Sequence, residues 1–186
     1  MAYVPEIHHR RSIRLRGWDY ARPGSYFITV CVEGKEHRFG GIVEGEMIPS
    51  TVGRMVDLVW KHVPRKFKGV ELGDHVIMPN HFHAIVRIKA VEAGIGADGG
   101  AHSGVPLHRI VQWFKTRTTN EYIRGVRESN WAPLRGRLWQ RNYYEHIIRN
   151  ARELEWIRDY MTTNPVRWDT DPENPAATSA QHEPWM

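Results

Sequence analysis

Two histidines two residues apart, His81 and His83 in "MPNHFHAIV", are the side chains best placed to do chemistry. On an extended strand, side chains two apart leave the same face, so both imidazoles project together. Neutral imidazole nitrogens in that arrangement supply part of a divalent-metal site, which needs at least one more ligand. Tyr160 and Asn164 form a second pair, four apart ahead of Pro165 and therefore neighbours on one helix face. A tyrosine attacks a phosphodiester only when its phenolate is favoured and the charge building on phosphorus is stabilised, tasks that a metal or a cation performs. Asn164 offers an oxygen to such a metal. Each pair also has a plain structural reading: histidines satisfied on a sheet, a half-buried tyrosine, an asparagine closing a helix. Tyr143 and Tyr144 in "WQRNYYEH" are rival nucleophiles, but only Tyr160 has an amide at i+4, where Tyr144 has Ile148.

The elements around these residues follow from pattern. The run "YFITVCV", Tyr26 to Val32, is β-branched and aromatic after a Pro23-Gly24 turn signal, and predicts a central strand. A shorter strand over Gly40 to Ile48 is expected to pair with it as a hairpin. Thr51 is the expected cap of a helix whose Val52, Met55, Val56, Val59 and Trp60 recur at helical spacing, with Pro64 beyond. Strands are predicted over Val70 to Met78 and His81 to Ile88, with Pro79-Asn80 as the break. The glycine-rich stretch 90–104 reads as a loop between two halves of one domain. A helix over Pro106 to Arg124 carries Leu107, Ile110, Val111, Phe114 and Ile123 on an apolar side, and a last helix carries Leu154, Ile157 and Met161 before Pro165 ends it. Residues 169–186 lack periodicity and read as a disordered tail after a single domain over 1–168.

The chain has 186 residues, enough for one domain with a true core. Lysine and arginine total 26 against 21 acids, a net charge of +5 that points towards a polyanionic partner. The lone Cys31 lies in an apolar run, which excludes an intrachain disulfide and a cysteine-based zinc cage. No apolar run reaches the length of a membrane span, and the N-terminus lacks the apolar stretch of a secretory signal. A soluble cytoplasmic protein, nucleoid-associated and with no membrane partner, is the expectation.

In combination, the His pair, the helical tyrosine with its amide and the basic, aromatic-rich chain are the parts of a nuclease with a tyrosine nucleophile. The sequence resembles the REP-associated tyrosine transposases, a branch of the single-tyrosine HUH transposases. The resemblance spans roughly residues 10–168 and rests on "RRSIRLRGWDY", "PGSYFITVCV", "MPNHFHAIV", "LWQRNYYEHIIRN" and "DYMTTNP" in that order. It implies an α+β fold, an antiparallel sheet with helices packed on one face, ferredoxin-like or RNA-recognition-like. It further implies that His81 and His83 bind Mg²⁺ or Mn²⁺, that Asn164 completes the metal site, and that Tyr160 becomes linked to the 5′ side of a cut single strand. Insertion-sequence relatives carry glutamine where this chain has Asn164, and asparagine is one methylene shorter.

The same resemblance implies single-stranded DNA hairpins as partners and a monomer or a homodimer as the acting form. The basic arm over residues 8–20, with Arg10, Arg11, Arg14, Arg16 and Trp18, is one candidate contact with nucleic acid. Others are Arg109, Lys115 and Arg117 on the basic helix side, and Arg135, Arg137 and Arg141 beyond it. Trp131 and Trp139 are further aromatic candidates. Two readings of another class compete: a nucleic-acid-binding protein without chemistry, and a metal-dependent nuclease in which water attacks and Tyr160 is structural.

Overall fold

The structure is a computed structural model that describes residues 18–90 and 105–177. Four strands form one antiparallel sheet: β1 (Gly24–Cys31), β4 (Val70–Ile77), β5 (His81–Ile88) and β6 (Tyr144–Ile148), in the spatial order β4-β5-β1-β6. β5 thus has a partner on each side. Helices α1 (Thr51–Lys61) and α3 (Leu107–Glu128) connect β1 to β4 and β5 to β6, the ferredoxin-like arrangement. A short helix α2 (Val63–Lys66) follows α1, and the last helix α4 (Ala151–Thr163) follows β6. Among the described residues, no helix is long and apolar enough to cross a membrane.

Alternation along the strands divides the sheet into two faces. Tyr26, Ile28 and Val30 of β1 and Phe82, Ala84, Val86 and Ile88 of β5 face α1 and α3 in the main core. There Trp60, Phe82 and Phe114 sit with ring centroids 5.0–5.1 Å apart, close enough for edge-on and tilted aromatic packing. Phe27 and Ile85 point the other way, against Ile157, Tyr160 and Met161 of α4. Helices on one face therefore describes α1 and α3, while α4 crosses the opposite face, the one that carries His81 and His83.

Three expectations need correction. The segment from Gly40 does not pair with β1; it folds back on itself as β2 (Gly40–Val43) and β3 (Glu46–Pro49), a separate two-stranded ribbon. Its turn residues Glu44 and Gly45 take φ of 51° and 78°, the left-handed pair that a tight hairpin turn requires. The cap of α1 is Ser50, not Thr51: its Oγ accepts the Gly53 N–H at 3.1 Å. Residues 169–177 are not a disordered tail. A 3-10 turn at Trp168–Thr170 leads into buried Asp171 and Asn174, because the segment is tied to the rest of the fold by polar contacts. The basic arm up to residue 17, the glycine-rich stretch over 91–104 and the tail over 178–186 lie outside the described residues.

Candidate metal centre and tyrosine site

His81 and His83 face the same way from the start of β5, beside Cys31 and Thr29 of β1. Their Nε2 atoms lie 2.9 Å apart, and the His81 Nε2 is 3.9 Å from a carboxylate oxygen of Asp171. Potential ligand atoms of the three residues all fall within 4.8 Å of one another. Two ligands about 2.1 Å from an octahedral ion, at right angles, would be about 3 Å apart, so the nitrogen spacing suits neighbouring positions on one ion.

The outer nitrogens are held as well. His83 Nδ1 is 2.8 Å from Thr29 Oγ1, and His81 Nδ1 is 2.9 Å from Asn80 Oδ1. The Asn80 Nδ2 donates to the Lys35 carbonyl at 3.1 Å and to the Glu173 carbonyl at 2.7 Å, which fixes its oxygen towards His81. An amide oxygen only accepts, so the proton of His81 sits on Nδ1 and its Nε2 lone pair faces the cluster. Such outer partners orient imidazoles at metal sites.

Burial sets the charge. His81 and His83 are 0% and 2% exposed. Burial holds His81 well below its ordinary value, with the His83 and Lys35 charges acting in the same direction. It lowers His83 to about 3. Both imidazoles are therefore neutral at physiological pH and available as ligands. Burial raises the carboxyl of Asp171, against the pull of hydrogen bonds from the Glu173 N–H and the Asn164 amide.

The helix that brings the tyrosine is anchored at its start. Asn150 Oδ1 accepts the Glu153 N–H at 2.9 Å, and the Glu153 carboxylate accepts the Arg149 N–H at 2.7 Å, a reciprocal cap. Ile157, Tyr160 and Met161, spaced at helical intervals, are the buried residues of α4. Tyr160 reaches the cluster with its hydroxyl 3.4 Å from His83 Nε2 and its ring edge-on to Phe27. Asn164 follows as the C-cap; its amide bonds Asp171, while its Oδ1 is buried without a hydrogen-bond partner. A buried oxygen in that position calls for a cation or a donor.

The structure thus gathers His81, His83, Tyr160 and Asn164, and adds Asp171, which sequence reasoning missed. Asp171 sits in "WDTDPENP", where prolines and the lack of periodicity hide its role; only the fold places it beside the histidines. Tyr144 lies on the same sheet face but packs against Phe27 as part of the small apolar cluster under α4.

The nucleic-acid candidates separate. Arg109, Arg135, Arg137 and Arg141 are exposed, and Arg117 is exposed but paired with Glu121 at 2.8 Å. Lys115 is corrected: its ammonium donates to the carbonyls of Gln140, Arg141 and Asn142, and burial lowers it to about 8, so it braces the chain before β6 and leaves no free charge for a phosphate. Trp139 is also a core residue, its Nε1 donating to Thr118 at 2.8 Å. Trp18 lies under the Arg22 guanidinium, 5.4 Å from its ring centre. Arg10, Arg11, Arg14 and Arg16 lie outside the described residues.

No family model matches the chain. An uncharacterized protein of Haemophilus influenzae is 35% identical over 178 residues, covering 91% of this chain and 95% of that protein. Among solved structures, a REP-associated tyrosine transposase bound to a REP hairpin superposes with a TM-score of 0.56 at 20% identity, over 83% of this chain and 73% of that one. The chain belongs to one family with the Haemophilus influenzae protein, and its fold is that of the REP-associated tyrosine transposases.

Proposed function

We propose that this protein is a metal-dependent endonuclease and strand transferase for single-stranded hairpin DNA, with Tyr160 as its nucleophile. The observation that carries the reading is the Tyr160 hydroxyl 3.4 Å from His83 Nε2, inside a cluster of two neutral histidines and a carboxylate. His81, His83 and Asp171 would hold a divalent ion, Mg²⁺ or Mn²⁺, with the free Oδ1 of Asn164 as a further oxygen. Bound there, the ion would supply positive charge to the scissile phosphate.

The chain's own residues do the rest. Asn80 keeps the Nε2 lone pair of His81 aimed inward, and Thr29 holds the His83 ring in place. Asn164 orients the Asp171 carboxylate. Tyr160 loses its phenolic proton and forms a bond from its oxygen to phosphorus, while the bond to the 3′-oxygen breaks and that oxygen takes up a proton. A 5′-phosphotyrosine and a free 3′-hydroxyl result, and the reverse attack rejoins the strand. Because the new ester conserves the energy of the old one, no nucleotide cofactor is needed.

The test is a denaturing gel of the full chain incubated with labelled single-stranded hairpins and Mn²⁺ or Mg²⁺, with Tyr160→Phe and Tyr144→Phe alongside. A covalent adduct that only Tyr160→Phe abolishes is the expected result. Cleavage with no adduct in any variant would make water the nucleophile and overturn the assignment.

A further inference from the structure

Strand β4 is interrupted by a bulge beside the helix that carries Tyr160. Leu72 pairs with Val86 and His75 with Ala84, so Gly73 and Asp74 together face the single residue Ile85 of β5. Two residues against one bend a strand and re-aim the side chain of the extra residue. Gly73 lets the bend press on its neighbour, since a Cβ there would stand 2.9 Å from the Cβ and Cγ2 of Ile85. Ile85 in turn belongs to the small apolar cluster beneath α4. Asp74 leaves the bulge towards that helix, and its carboxylate accepts a hydrogen bond from Arg158 Nε at 2.6 Å.

The pair meets a need that the other contacts of α4 leave open. The reciprocal cap at Asn150 fixes the start of the helix, and the Asn164 amide bonded to Asp171 fixes its end. Between them, Ile157, Tyr160 and Met161 rest on Phe27 and Ile85 through apolar contacts, which hold a helix down but have no direction of their own. They resist lifting more than turning about the axis. Arg158 and Tyr160 lie about 160° apart around the helix, so they leave opposite flanks of the buried stripe. A bond on the Arg158 flank therefore works against rotation. A turn of about 20° moves a group about 6 Å from the axis by about 2 Å. The Tyr160 hydroxyl is only 3.4 Å from His83 Nε2, so such a turn would take it out of the cluster. Both side chains of the pair are half exposed, at 56% for Asp74 and 50% for Arg158, and an ion pair so placed adds little to stability. Its effect is on geometry.

We infer that Asp74, presented by the β4 bulge, is a positioning residue for the tyrosine: its bond to Arg158 sets the rotation of α4 and with it the place of the Tyr160 hydroxyl. The inference rests on the reading of Tyr160 as the nucleophile and deepens it.

The experiment uses the full chain with Asp74→Ala, Arg158→Ala, both together, and Arg158→Lys. Covalent adduct formation is timed at saturating labelled hairpin and Mn²⁺, and hairpin affinity is measured separately. Each alanine variant is expected to form adducts about 10- to 100-fold more slowly, the loss that a displacement of this size brings, with hairpin affinity unchanged. The double variant should be no slower than the slower single one, because both act through one bond. Arg158→Lys, which keeps the charge, should recover most of the rate. In parallel, 3-fluorotyrosine is incorporated into the metal-free protein and the Tyr160 fluorine signal is identified by its loss in Tyr160→Phe. That signal should shift in both alanine variants. Adducts from the natural chain together with an unmoved fluorine signal, unchanged rates or additive losses would overturn the positioning role and leave the enzymatic reading standing. A natural chain that forms no adduct on any hairpin overturns the nucleophile itself, and the role of the pair with it.

Discussion

Acid should unfold the metal-free protein through His83, and the size of the effect can be worked from its burial. With an ordinary value of 6.5 lowered to about 3, the folded protein keeps this imidazole neutral over a range where the unfolded chain binds a proton. The stability that comes with the neutral form is complete above the ordinary value and is lost as pH falls towards about 3. Each pH unit in that window costs the fold about 1.4 kcal/mol, so the loss by pH 4.5 is about 3 kcal/mol. Against a total of about 5–15 kcal/mol for a domain, that is a large share. Urea denaturation in EDTA at pH 7.5 and 4.5, for the natural chain and for His83→Gln, isolates the contribution. The carboxyl of Asp171, raised by burial, acts with the opposite sign but is common to both proteins. The natural chain should lose about 3 kcal/mol more than the variant between the two pH values. Equal losses would mean that His83 titrates normally in the folded state, and the account of a buried, neutral ligand pair would fall.

Further expectations follow from single contacts. Asp171→Asn should weaken Mn²⁺ binding in calorimetry by more than Thr29→Val does, and Thr29→Val, which only frees the His83 ring, should cost about 10-fold or somewhat more. Gly125→Ala places a Cβ 2.3 Å from the Trp131 ring and should cost about 1–3 kcal/mol, read as a fall of several degrees in Tm. Lys115→Met leaves the carbonyls of residues 140–142 without their shared donor and should cost a similar amount in the same assay, without loss of binding in proportion to a phosphate contact.

The parts of the fold legible in the sequence are those whose signal is local. The strand of Phe27 and Ile28, the strand of His81 and His83, and the helices of Trp60, Phe114 and Tyr160 all announce themselves by period. So does the face shared by the two histidines, since it needs only the pleat. The β2–β3 ribbon is missed because Glu44 is not a residue associated with a left-handed turn, although Gly45 beside it is. Asp171 is missed for a different reason. Nothing near it in sequence explains its burial; Lys35, bonded to the Pro172 carbonyl, and Asn80, bonded to that of Glu173, hold its segment from far along the chain. Lys115 shows the converse limit: a charge on the polar side of a helix reads as solvated until a later loop folds over it.

Asn80 gives the site an unusual sensitivity to a single atom. Its amide has one acceptor and two donors, and the two backbone carbonyls claim both donors. The side chain therefore cannot rotate half a turn without setting oxygen against oxygen twice. That asymmetry is passed to His81, which has no choice about which nitrogen carries its hydrogen. Aspartate, the replacement closest in shape, would oppose both carbonyls at once; leucine would satisfy neither and leave the imidazole free to take either tautomer. A single amide, through counting of hydrogens alone, thus decides whether His81 presents a lone pair or a proton to the cluster.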